Sequence, residues 1–173
     1  MDPIPFGGGP YFACLGLLIL SRGADLLSTW IATPNLVLEA NPLARKLGWK
    51  WGTIVTLGVC AGAALWPLLA IIIATISLLV AGRNFQHAWL MRSLGEESYR
   101  AWMAERVRQA SGGLVLFCLL AEALLIGSVG GALICFSRYQ LIPLAVGAGI
   151  VSYSVAVVFY TWLSVWRLRR RAG

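Results

Sequence analysis

The chain has 173 residues, 59% of them hydrophobic and 12% charged, with a mean hydropathy of +0.78. A water-soluble domain carries about 25% charged residues, so composition excludes a single soluble core and points to a membrane protein. A helical span needs about 20 residues, so four spans and their connections use up the chain. The expected architecture is therefore all-α and polytopic, one helical membrane domain over 1–173.

The opening decapeptide holds one acidic residue and no Lys or Arg, unlike the basic start of a signal peptide, and is read as uncleaved. A first apolar run covers about 11–33. A second, about 52–81, is interrupted only by Pro67. As a continuous helix it would approach about 45 Å, longer than a ~30 Å hydrocarbon core. A kink at Pro67 and continuation beyond the bilayer through Trp89 absorb the excess, in preference to two half-helices hinged at the proline. Spans over 112–137 and 141–166 follow, separated only by Arg138, Tyr139 and Gln140, which makes them antiparallel neighbours.

With both termini in the cytoplasm, Arg83, Arg92, Arg100, Arg106, Arg108, Arg167, Arg169, Arg170 and Arg171 fall inside, against Arg45, Lys46, Lys50 and Arg138 outside. The positive-inside rule favours that orientation in a cell inner membrane. The net charge of +7 suits anionic headgroups of the lipid bilayer and calls for no nucleic acid. Between the second and third spans, Ser93 and Glu96 have capping-box spacing, and Tyr99, Trp102, Met103 and Val107 recur at helical intervals. An amphipathic helix over about 94–110, lying on the cytoplasmic surface, is expected. Gly58 with Gly62, and Gly127 with Gly131, space small residues for close helix packing, inside the chain or across a homodimer. Cys14, Cys60, Cys118 and Cys135 fall in separate apolar contexts without a nearby histidine and read as small hydrophobes. Neither a metal nor an organic cofactor is expected.

Polar groups where lipid should exclude them carry the functional argument. Ser21, Arg22, Asp25, Ser28 and Thr29 share one face of the first helix. A lone charge at the bilayer centre costs about 2.5–3.5 kcal/mol, so this face must turn toward protein or water. Arg22 and Asp25 can pair at a spacing of three. Glu122, ten residues into the third span, reaches a similar depth and is expected to join them in a triad. Beyond the first helix, Asn41 before Pro42 suits a helix entry with an Asn cap, and Glu39 can steady that positive helix end. If the loop folds back, Asp25, Thr29, Glu39 and Asn41 line one outward-opening pocket of oxygen atoms. Such a pocket suits a proton, a hard cation or a polar headgroup rather than zinc or copper.

Asp25–Thr29 reads DLLST and Glu39–Leu43 reads EANPL. In order and spacing these elements resemble the prokaryotic membrane-protein family catalogued as domain of unknown function 5658, over about residues 15–80. The resemblance implies a helical membrane domain and no particular activity. Glu96, Glu97 and Arg100 spell EExxxR, which resembles the first motif of the CAAX-type glutamic intramembrane proteases. That family requires histidines downstream, whereas the single histidine, His87, lies upstream. His87 reads as an interfacial residue, with Asn84 on the same face.

The leading expectation is a small binding or accessory module. Its site comprises Asp25, Thr29, Glu39 and Asn41, supported by Arg22 and Glu122, and takes a polar ligand, a lipid headgroup or a segment of a membrane-protein partner. The alternatives are an intramembrane acid/base enzyme acting on a lipid-like substrate and a proton- or cation-coupled carrier.

Overall fold

The computed structural model describes residues 3–39 and 41–170. Ala40 of the EANPL element, Arg171 and the side chain of Arg170 lie outside the described residues. Among the described residues the chain is all-helical, with α1 Gly9–Ala32, α2 Pro42–Ala63, α3 Pro67–Leu94, α4 Glu96–Gln109, α5 Gly112–Phe136 and α6 Leu141–Arg170. Proline stands in the first turn of α1, α2 and α3, where its missing N–H costs nothing and its fixed φ favours helix. Among the described residues four helices, α1, α3, α5 and α6, are long and apolar enough to cross a membrane.

The expected run over 52–81 is not one continuous helix. The chain turns at 64–66, with Leu65 N–H donating to Gly62 and Trp66 N–H to Ala63, and Pro67 opens α3 instead of kinking a longer helix. The reason is local. A proline disfavours helical geometry in the residue before it, and Trp66 is extended at φ −120° and ψ 100°. The apolar run is thus divided between the end of α2 and the start of α3, which carries on past Trp89 to Leu94.

Contacts along the bundle fix the helix directions. Near the start of α1, Ile4 N–H donates to the Leu65 carbonyl and the Tyr11 hydroxyl to that of Ala61. Leu18, Cys60, Ala63, Ala64 and Ala70 close a core at this end. Farther along, Arg22 meets Ser77, Asn84 meets Ser28 and Thr29, and Thr33 meets Glu96. Helices α1 and α3 therefore run parallel, and α2 must return between them. It does so from the Trp49 indole, which donates to the Pro34 carbonyl, to Cys60 and Ala63 beside Tyr11. Two helical segments meeting at Gly48, with φ +64°, make this return.

Helices α5 and α6 form the expected antiparallel pair, and α6 also packs on α3. A Cβ on Gly147 would stand 2.6 Å from the Gly130 carbonyl oxygen, and one on Gly149 2.7 Å from Thr75. Gly58, Gly62 and Gly131 have open space around them, so of the two anticipated glycine pairs only Gly127, against Ser154, makes a close contact. Helix α4 joins the ends of α3 and α5, with Tyr99 and Val107 buried and Trp102 exposed.

Five helices thus run the length of the bundle, α1, α3 and α6 one way and α2 and α5 the other. Pro3 and Arg170 lie at opposite ends.

Candidate functional site

The polar face of α1 turns onto α3, as the cost of charge in an apolar span requires. Ser21 and Ser28 are buried, each hydroxyl donating to a carbonyl three residues back on its own helix, Leu18 at 3.2 Å and Asp25 at 2.8 Å. Arg22, Asp25 and Thr29 are half-buried. The Arg22 Nη1 donates to Asp25 Oδ2 at 2.7 Å and to the Ser77 hydroxyl at 3.4 Å. The Asp25 side chain keeps 14% of its surface. One turn on, Asn84 Nδ2 donates to Ser28 at 3.3 Å and Thr29 at 3.2 Å. Ser77 and Asn84, seven residues apart, share a face of α3 and supply its half of the cluster. Their spacing in an otherwise apolar run is the signal that could have found them.

Glu39 returns over the end of α1. Glu39 Oε1 accepts the Asn41 N–H at 2.8 Å, and Asn41 Oδ1 accepts the Leu43 N–H at 3.0 Å, capping α2 as anticipated. Asn41 thus serves its own helix. Of the six expected site residues, Arg22 and Asp25 pair directly, Thr29 sits one turn away, Glu39 bonds its neighbour Asn41, and Asn41 is a cap.

Glu122 is elsewhere. It pairs with Arg83 at 3.5 Å, so the Arg22–Asp25–Glu122 triad does not form. Depth alone suggested the triad, but α5 packs on α6, and the Glu122 partner comes from α3 on the side away from α1. His87 is exposed, its Nδ1 3.2 Å from the Arg83 carbonyl on its own helix.

The loop carrying Glu39 is held from a distance by Glu96. Its Oε2 accepts the Thr33 hydroxyl at 2.7 Å and the Val37 N–H at 3.1 Å. Its Oε1 accepts the Asn35 N–H at 2.9 Å and Asn35 Nδ2 at 3.0 Å. Thr33 in turn accepts the Leu38 N–H at 3.1 Å. Within this loop Leu36 adopts φ +56°, a left-handed conformation costing about 1–2 kcal/mol for a non-glycine residue. The four bonds hold it there. Partial burial pushes the Glu96 carboxyl up, but the bonds from Thr33, Asn35 and Val37 outweigh this and hold it below its ordinary value. The expected Ser93–Glu96 capping box is absent. Gly95 is the N-cap of α4, and Ser93 donates to Leu90.

Two surface cavities, of about 530 and 330 Å³, are lined by apolar side chains of α5 and α6 and lie away from this cluster. The site is the polar seam of α1 and α3 beneath the 33–39 loop. No family model, curated protein or solved structure matches this chain.

Proposed function

We propose that this chain is a small prokaryotic inner-membrane binding or accessory module of the family that DLLST and EANPL resemble. In this reading α1, α2, α3, α5 and α6 cross the bilayer and α4 lies on its surface. Arg45, Lys46, Lys50, Arg92, Arg100, Arg106, Arg108, Arg167 and Arg169 gather toward the bundle end that holds α4, against Arg138 at the other. The positive-inside rule then puts α4 and the C-terminus in the cytoplasm and the N-terminus outside, and turns the pocket inward rather than outward.

The observation that carries the reading is the Arg22–Asp25 pair held against Ser77 and Asn84 within an apolar span, with the carboxylate of Glu39 in the loop that follows α1. One cation against two carboxylates leaves the seam net negative, which suits a positively charged or hydrogen-bond-donating group on a small ligand, a lipid headgroup or a partner segment. The supporting test is charge-selective labelling of Thr29→Cys in a chain whose native cysteines are replaced. A cationic thiosulfonate should react about fivefold faster than an anionic one, the effect of roughly 1 kcal/mol from one nearby unit charge at high dielectric. Glu39→Gln should erase the preference. No reaction with either reagent would leave the cluster purely architectural.

A further inference from the structure

The corner where α4, α5 and α6 meet carries a second polar arrangement that the α1–α3 seam does not use. Arg169, near the end of α6, is held in place: its Nη2 donates to the Ala110 carbonyl at 2.8 Å and the Val107 carbonyl at 3.2 Å. Its Nε is buried without a hydrogen-bond partner. Its Nη1 lies over the first residue of α5, 2.8 Å from where a Cβ on Gly112 would stand, so the positive end of the α5 dipole faces the same corner. Arg106 and Arg108 are exposed on the last turn of α4 and Arg167 is half-buried on α6. Glu105, paired with Arg108, is the acidic side chain among them. Exposed Trp102, Trp162 and Trp166 flank the corner, with the Arg106 guanidinium 6.0 Å from the Trp102 ring centre. Indoles of this kind settle at headgroup level in a bilayer.

We propose that this corner is a docking site for the phosphate headgroups of anionic phospholipids in the leaflet on which α4 lies, with Arg106, Arg108 and Arg167 contacting the lipid and Arg169 fixing the geometry. Charge complementarity selects this occupant. Four arginines against one carboxylate lie on the last turn of α4 and the close of α6, beside apolar helix surface that acyl chains can cover while the headgroups meet the guanidinium groups. Among the described residues the opposite bundle end, with Arg138, has no counterpart.

The proposal rests on the membrane reading above, and the test separates the two. The full chain is first checked for retention in alkaline-washed membranes, then purified in neutral detergent and titrated with phosphatidylglycerol, phosphatidylcholine or inorganic phosphate. Bound lipid is counted by native mass spectrometry and unfolding temperature is followed. Phosphatidylglycerol should be retained and should raise the unfolding temperature where phosphatidylcholine does not. Apparent affinity should fall roughly fivefold per arginine removed across Arg106→Gln, Arg108→Gln and Arg167→Gln, and stay unchanged in Arg138→Gln. Equal stabilisation by phosphatidylcholine, full stabilisation by phosphate alone, or an unaffected triple variant would overturn the lipid site while leaving the membrane reading intact. Loss of the chain from washed membranes would overturn both.

Discussion

A single carboxylate on α4 holds the loop that leads to Glu39, and its chemistry sets a pH window. Glu96 titrates below its ordinary value in the folded chain because its hydrogen bonds outweigh the burial that pushes it up. Its contribution is therefore complete above the unfolded value, about 4.3, and is lost as pH falls through the folded one. Protection of the Asn35 and Val37 amides from hydrogen exchange, relative to the intrinsic rate at each pH, should fall on acidification through that range, and Glu96→Gln should lower it at neutral pH and abolish the acid dependence. Exchange indifferent to Glu96 would show that the loop holds itself. The Arg22–Asp25 pair answers to a different balance. Removing one partner strands a charge in an apolar span, so Asp25→Ala should cost about 2–3 kcal/mol, whereas Arg22→Leu with Asp25→Leu should recover most of it. A double-mutant cycle in detergent with no coupling would deny the pair.

Helix identity was legible in the sequence wherever apolar runs ended in glycine, proline or charge, and it failed where one residue had two possible roles. Pro67 could kink a long helix or start a new one. The choice depended on whether Trp66 gained more from extension and the turn bonds at 64–66 than from continuing the helix, which hydropathy does not report. The polar stripe of α1 was legible because burying charge is costly enough to dictate orientation. The partners of Glu96 and Glu122 were not, since each lies tens of residues away and depends on helix order. The glycine pattern shows the same limit: GxxxG spacing selected Gly131, but the α5–α6 crossing falls one residue earlier, at Gly130 opposite Gly147. Gly147→Ala should thus drive a methyl into the Gly130 carbonyl and cost about 1–3 kcal/mol, while Gly131→Ala, with open space around it, should be neutral or slightly stabilising in helix propensity. Unfolding of both variants in the same detergent checks the contrast. Equal effects would place the crossing elsewhere.

At the scale of the molecule, the place where one helix ends decides between two topologies. Joining α2 to the start of α3 makes four passes and divides the basic residues nine to four. Separating them makes five passes and transfers Arg45, Lys46 and Lys50 to the end that already holds α4 and the close of α6. Charge asymmetry becomes much steeper if α2 is counted as a crossing, although the three basic residues in its first half leave α2 less apolar than the four long helices. They sit within about 12 Å of its start by rise per residue, near enough for long side chains to reach the interface. The two topologies differ in a directly measurable way. With five passes, a fluorescent protein fused after the C-terminus folds in the cytoplasm and shines. A cysteine at Phe6, in a chain otherwise free of cysteine, is labelled by an impermeant maleimide added to intact spheroplasts, and a cysteine at Arg92 is not. With four passes and both ends inside, Phe6→Cys stays unlabelled until the membrane is opened. A cysteine at Arg45 discriminates independently, because the two arrangements put it on opposite sides of the bilayer. Labelling of Arg45→Cys from outside would sink the inward-facing pocket along with the fifth crossing, since Glu39 travels with that loop.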